Sequence, residues 1–233
     1  MQVNALDSLI RTLPKVPTIR GRHGFFHSAV LIPLVLVEER YHLLFQKRSS
    51  TIRQPGEICF PGGKFDSKLD ARYRDTAVRE CVEELGIDAV CIQVIGRLNT
   101  MIASMGAIIE PFLAVLEIAD LSRLQPDPAE VETVFTIPVS FFLEKEPDTY
   151  HVRIEVQPFY KDAEGKERVL FPAKDLDLPG RYHRPWEGGF SRILVYRHSG
   201  DCIWGITAEI VFDLMQYAGK SATAWKPAGD SFL

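Results

Sequence analysis

The stretch Asp75–Leu85 leaves this chain few options. Ala77, Val78, Cys81, Val82 and Leu85 recur at three- and four-residue intervals, the spacing that lines up side chains on one face of an α-helix. Gly86 follows where a helix can stop in the left-handed conformation. A helix with one apolar stripe has to lay it on another layer. The rest of the chain offers mostly strands for that layer. Ser28–Val37 and Tyr41–Lys47 read as a hairpin turning at Glu38-Glu39-Arg40, and residues 48–66 as a loop with one short strand near Glu57–Phe60. Val90–Leu98, Ile108–Ile118, Thr133–Ile137, Tyr150–Pro158 and Ile193–Arg197 are further strand-like runs, Tyr150–Pro158 with partial alternation. Short helices are expected at residues 4–13, which Pro14 and Pro17 end, and at Val139–Leu143, with a last helix from Thr207 to Tyr217. One central helix among many strands implies an α/β (α+β) sandwich with a mixed sheet.

Composition narrows the partners. The chain is 46% hydrophobic and 25% charged, ordinary for a soluble domain, and carries a net charge of −4. No basic tract longer than a dipeptide is present, which argues against nucleic acid. The apolar run Ala29–Val37 is interrupted by Pro33 and is too short to cross a bilayer, so no membrane association and a cytoplasmic location are expected. Cys59, Cys81, Cys91 and Cys202 form no C-x-x-C pair and no zinc-like array, and read as reduced thiols.

The central helix also carries acid. Glu80 and Glu84 are four residues apart and Glu80 and Glu83 three apart, so the spacing predicts three carboxylates converging opposite the apolar stripe. Such crowding is repulsive, and Glu83 and Glu84 lie in the last turn, where the helix dipole disfavours negative charge. A bound hard dication would remove both penalties, bridge diphosphate oxygens and position a water. Gly62 and Gly63 upstream are expected to let the chain turn tightly toward the helix and to offer amides to phosphate.

Together these residues resemble the Nudix box, G-x5-E-x7-R-E-U-x-E-E-x-G-U, where U is aliphatic. Gly63 opens it, Arg79, Glu80, Glu83, Glu84, Gly86 and Ile87 fill its second half, and Cys81 takes an aliphatic place. The gap from Gly63 to Arg79 is two residues longer than the pattern, and the first glutamate has no counterpart, leaving Asp66 or Asp70 to stand in. Upstream, Arg48, Ser49, Arg53, Gly56 and Phe60-Pro61-Gly62-Gly63 resemble the signature of the coenzyme A pyrophosphatases, with Phe45 and Gln46 in place of Leu and Thr and the Arg53–Gly56 spacing one residue short. Weaker likeness extends over about residues 25–215.

The resemblance implies a Nudix α/β/α sandwich at residues 25–220, between an N-terminal helix and connector (1–24) and a C-terminal tail (221–233). It implies hydrolysis of the diphosphate of coenzyme A or acyl-coenzyme A to adenosine 3′,5′-bisphosphate and 4′-phosphopantetheine. Glu80 and Glu84 would hold Mg²⁺ or Mn²⁺, with Glu83 as further ligand or base and Arg79 as a catalytic residue. Arg48, Arg53, Gly62 and Gly63 would bind substrate, guanidinium forks being suited to phosphate. A homodimer is admitted. Glu110, Glu130 and Glu132 are alternative bases, each against the plainer reading of a strand-edge carboxylate. His183, Trp186 and Trp204 could flank a base or pantetheine, although lone aromatics more often serve core or rim. His23, His27, His42, His151 and His198 are scattered and assigned to no metal. Two competing functions remain open at this point: a Nudix pyrophosphatase for ADP-ribose or another nucleoside diphosphate derivative, and a Nudix-fold binding module without turnover.

Overall fold

The computed structural model describes residues 10–15, 19–103, 106–118 and 120–219. Residues 10–12 are helical, while the rest of the expected helix at 4–9 and the tail at 221–233 lie outside the described residues. The hairpin forms from β1 (Phe26–Val37) and β2 (Arg40–Arg48), and Glu38 and Glu39 both adopt positive φ. That backbone matches the twist of the two strands, which is why so short a turn works without glycine.

Two short strands follow, β3 (Ile58–Cys59) and β4 (Gly62–Lys64), then the helix α1 (Tyr73–Leu85). Next come β5 (Ile92–Arg97), β6 (Met101–Ala103), β7 (Ala107–Leu116), β8 (Val131–Pro138) and the helix α2 (Val139–Glu144). The main sheet has eight strands in the order β3-β2-β1-β7-β5, with β4 on β1, β6 on β7 and β8 on β2. The β1–β7 pair is parallel and the other pairs antiparallel, so the sheet is mixed as expected. Pro33 has no N–H to give a ladder, and it sits where β1 changes partner: pairing with β4 ends at Val30 and pairing with β2 begins at Leu34.

Strand β1 is the wall between two cores. Ala29, Leu31 and Val35 pack with Ala77, Cys81 and Leu85 of α1 on one side. Ile32, flanked by Val30 and Leu34, faces Phe142, Tyr196 and Leu214 on the other. The two-residue period of a strand thus feeds two layers at once. The layer opposite α1 is more than helices. It combines α2 with a three-stranded sheet of β9 (Asp148–Val156), β12 (Trp186–His198) and β13 (Asp201–Trp204), and with the last helix α3 (Gly205–Tyr217). A small hairpin, β10 (Phe159–Lys161) with β11 (Glu167–Val169), lies between β9 and β12 in the chain.

Candidate active site

The helix α1 does not present its three glutamates on one open face. Adjacent helical residues are rotated by about 100°, which brings Glu84 to roughly 20° from Ala77 and Glu83 to the side away from Cys81. Glu84 accordingly sits at the edge of the apolar stripe and is 4% exposed. Its Oε2 accepts hydrogen bonds from Gln46 Nε2 on β2 (2.9 Å) and from the Gly62 amide on β4 (3.0 Å). Glu83 points to solvent, where Arg79 Nη1 donates to it at 2.9 Å. The convergence expected from spacing alone is therefore corrected: Glu84 is inserted between helix and sheet, Glu80 is half-buried beside it, and Glu83 is outside. Among the described residues, no three His, Cys, Asp or Glu side chains gather into a closed metal cage.

The glycines serve a purpose other than the one expected. Gly62 and Gly63 lie in a strand with no positive φ, so they do not make a tight turn. What they supply is space. A Cβ on Gly63 would overlap the Glu80 carboxyl group, and one on Gly62 would come within 2.5 Å of the Ala29 carbonyl oxygen and 2.7 Å of Val30 Cα. The Gly62 amide, expected to be open to phosphate, is already donated to Glu84.

Of the two aspartates expected to stand in for the missing box glutamate, Asp70 reaches Arg79 of the box helix and Asp66 does not. Arg79 reaches Asp70 with both Nε and Nη2 at 3.0 Å, and Thr76 Oγ1 donates to it at 2.8 Å. Asp66 instead caps the local turn at Lys68 N. The guanidinium holds the Asp70 carboxyl below its ordinary range. Arg79 also contacts Glu80 Oε1 at 2.8 Å, so it orients the acids around it.

The end of α1 fixes the neighbouring loop. Gly86 is left-handed, and any side chain there would strike Gln125. The last helical carbonyls, of Glu84 and Leu85, accept from Asp127 N and Gln125 N. This loop carries Glu130, whose carbonyl accepts from Ser49 N, while Ser49 Oγ and Thr51 Oγ1 both donate to Ala129 O. The Arg48-Ser49 segment is thereby tied to the Glu130 loop. Arg48 Nε donates to the Arg53 carbonyl, which shapes the loop between them, and Arg53 itself is exposed.

The other candidates lie elsewhere. Glu110 accepts from Thr100 Oγ1 at 2.9 Å, and Glu132 pairs with Lys47 at 2.7 Å. Trp186 packs edge-on against Tyr182 and Phe171, and His183 bonds the Leu178 carbonyl. His27 bonds Tyr73, and His42 bonds Thr136. Gln46, Ser49 in its tethering role and Thr51 were missed as site-builders. Gln46 carried the one available signal, a departure from the motif at a position facing the acids.

Burial pushes the Glu84 carboxyl up to about 7; the Gln46 and Gly62 hydrogen bonds oppose this, and the charges on Glu80 and Glu130 add to it. Glu80 is raised in the same direction, first by burial and then by Glu83 and Glu130, against the pull of Arg79. Glu130 thus acts electrostatically on both acids. Such a site, with hard oxygen donors in excess and neutral donors alone around Glu84 Oε2, can stabilise positive charge and hold a phosphoryl group near water.

Several known proteins are similar to this chain. The NUDIX domain family matches residues 25–176. The uncharacterized Nudix hydrolase NudL of Photorhabdus laumondii is 32% identical over 191 residues, covering 82% of this chain and 83% of that protein. The peroxisomal coenzyme A diphosphatase NUDT7 of Mus musculus is 35% identical over 124 residues, covering 53% of this chain and 50% of that protein. A Caenorhabditis elegans Ap4A hydrolase structure aligns with a TM-score of 0.42 at 18% identity, over 50% of this chain and 83% of that one. The chain belongs to the Nudix hydrolase family. It spans about half the length of the coenzyme A diphosphatase named here.

Nudix hydrolases generally need a divalent cation. The donors present suit one that keeps most of its water, because such ions need only one or two carboxylates from the protein. In the metal-free protein Glu84 binds its proton more tightly folded, near 7, than at the ordinary value of 4.5. Stability should therefore be greatest below the lower value and fall as pH rises through the higher one, by on the order of 3 kcal/mol from this group. Asp70 has the opposite sign and loses its contribution as pH falls through the carboxylate range. Denaturant unfolding in chelator at about pH 5 and about pH 7.5 should show the drop, and Glu84→Gln should flatten it. A slope unchanged by that substitution would remove Glu84 as its source.

Gly63 and Gly62 should respond differently to alanine. Gly63→Ala meets the far end of a flexible side chain, so it should leave the melting temperature nearly unchanged while displacing Glu80 and weakening Mg²⁺ binding in calorimetry. Gly62→Ala meets backbone and should destabilise the fold itself. Equal effects of the two on melting would refute the assignment.

Proposed function

We propose that this protein hydrolyses the diphosphate of coenzyme A or an acyl-coenzyme A, in the cytoplasm, with Mg²⁺ or Mn²⁺. The observation that carries the reading is the meeting of the two motifs at one seam. The strand that ends the Phe60-Pro61-Gly62-Gly63 segment lies against Glu80 and Glu84, and the Arg48-Ser49 segment is hydrogen-bonded to the Glu130 loop. The likeness to a coenzyme A diphosphatase over 124 residues supports it.

Glu80 and Glu84 are the proposed holders of the cation, with Glu83 as a further ligand from the open side. Once bound, the cation supplies the charge that offsets the diphosphate and makes its phosphorus open to attack. Arg79 keeps Glu80 in place through its own anchorage on Asp70. Water adds to one phosphorus, the bridging P–O bond breaks, and adenosine 3′,5′-bisphosphate and 4′-phosphopantetheine leave. Glu130 is proposed to take the proton from water, because its charge reaches both Glu80 and Glu84, whereas Glu83 is turned toward Arg79. Arg53 is exposed and is the proposed contact to substrate phosphate, with Arg48 holding its loop.

The deciding experiment incubates the protein and Mg²⁺ with coenzyme A, ADP-ribose and NADH and resolves the products by chromatography. Coenzyme A should be cleaved fastest. A wide preference for ADP-ribose would move the substrate within the family, and no turnover on any diphosphate would favour a binding role. On coenzyme A, Arg53→Ala should lower kcat/KM by about tenfold to a hundredfold, the worth of one charge-assisted hydrogen bond. The loss should shrink on dephospho-coenzyme A if Arg53 reads the 3′-phosphate. Glu130→Gln should lower kcat on coenzyme A far more than Glu83→Gln does, and the reverse order would transfer that role.

A further inference from the structure

The strand β9 has one edge that no strand among the described residues covers. Its residues alternate strictly: Tyr150, Val152, Ile154 and Val156 fall on one face, and Thr149, His151, Arg153 and Glu155 on the other. That pattern belongs to a strand with one buried face. Yet Tyr150 is 48% exposed, Val152 46% and Val156 39%. On one side β9 pairs with β12 along its whole length, from Asp148 opposite Val195 to Val156 opposite Trp186. On the other side, among the described residues, no strand joins it, and it is the edge of its sheet.

The far edge of β12 is guarded where β9 is not. There β13 pairs with Val195–His198, and Arg192 reaches Glu209 of α3 at 3.1 Å. The β-bulge in this ribbon falls on β12, between Glu187 and Gly189. Within Asp148–Val156 there is no proline or lysine to blunt the open edge, and its charged residues, Asp148, Arg153 and Glu155, are of both signs and so open to pairing with a partner. Beyond the Val195–His198 stretch that β13 covers, β9 and β12 form a two-stranded ribbon, which is marginal by itself in water and which a further strand would secure.

The charges select both the partner and the register. Consider a second copy of β9 laid antiparallel along the open edge about a two-fold axis normal to the sheet. Centring on Arg153 or on Glu155 sets like charges against each other, and centring on Val152 sets His151 against Arg153. Centring on Ile154 places Arg153 opposite the partner's Glu155 on both sides of the axis, with Val152 opposite the partner's Val156 and Ile154 opposite the partner's Ile154. Directly opposed charges and β-branched pairs at this spacing are favourable, and like charges are not. Within one chain Glu155 faces Glu187 across the β9–β12 pair, and Arg153 is shared between them at 3.5 and 3.1 Å. A second arginine on the open side relieves that crowding.

We propose that β9 is a homodimerisation edge, pairing antiparallel with β9 of a second copy about Ile154 to make a continuous β12-β9-β9-β12 ribbon. The edge belongs to the separate three-stranded sheet and not to the layer of α1 that carries Glu80 and Glu84, so the dimer leaves those residues of each protomer in their own chain.

Sedimentation velocity across the micromolar range tests it. The wild-type protein should be a dimer. Glu155→Arg alone places Arg153 against the partner's new arginine, and Arg153→Glu alone does the same with two acids. Each should raise the dimer Kd by about tenfold or more, because two symmetric pairs change sign. The double variant Arg153→Glu with Glu155→Arg restores both pairs and should be a dimer again. Mixing the two single variants should yield a heterodimer, since each supplies the charges the other lacks. A wild-type monomer throughout the range overturns the proposal, as does a dimer that both single variants retain. Loss of the dimer in the double variant and in the mixture alike also overturns it, because the register would then be wrong.

Discussion

A carboxylate held almost out of water between helix and sheet is the constraint on which the rest of this site depends. Burying Glu84 costs solvation, and the cost is only partly offset by one backbone amide and one carboxamide. To bring those donors within reach, α1 has to lie close on the sheet. The contact is made by small residues on both sides: Ala77 and Cys81 on the helix, Ala29 on β1 and the two glycines of β4. The close approach in turn wedges Glu80 against Gly63. Burial of the acid and packing of the helix are thus one arrangement, and the core beneath α1 fixes where Glu80 and Glu84 stand.

Much of this was legible in the sequence because it is local. The 3.6-residue period of Ala77, Cys81 and Leu85 set the helix, and Gly86 set its end. The apolar runs of β1 and β2, broken at Glu38-Glu39-Arg40, set the hairpin, although β4 was missed because Gly62-Gly63 reads as a turn when its pairing partner is unseen. The orientation of the acids was also within reach: the angular step of a helix already separates Glu83 from Glu84, and attention to neighbours at three and four residues concealed it. What the sequence could not show was non-local. Asp70 as anchor for Arg79, Gln46 as donor to Glu84 and the joining of Ser49 to Ala129 each depend on segments brought together by the sheet.

The division between what positions and what contacts also runs through the basic residues. Arg48 and Arg79 would both pass for phosphate ligands by composition. In the fold, Arg79 on α1 is tied to three carboxylates, and Arg48 at the end of β2 donates to a carbonyl, so each has a structural partner of its own. Arg53, in the loop that follows β2, is the exposed one. The same logic separates Glu130, tethered through its backbone with its carboxylate bearing on the acids, from Glu132, one pleat further and neutralised by Lys47.

The two-sided wall made by β1 has an evolutionary consequence. Everything chemical hangs on the α1 side, while the segment from Asp148 to Trp204 is attached on the other side, between α2 and α3. Insertions or deletions there need not move the Gly63–Gly86 spacing or the loop that bears Glu130. That segment can therefore change in length and shape without disturbing the acids beneath α1.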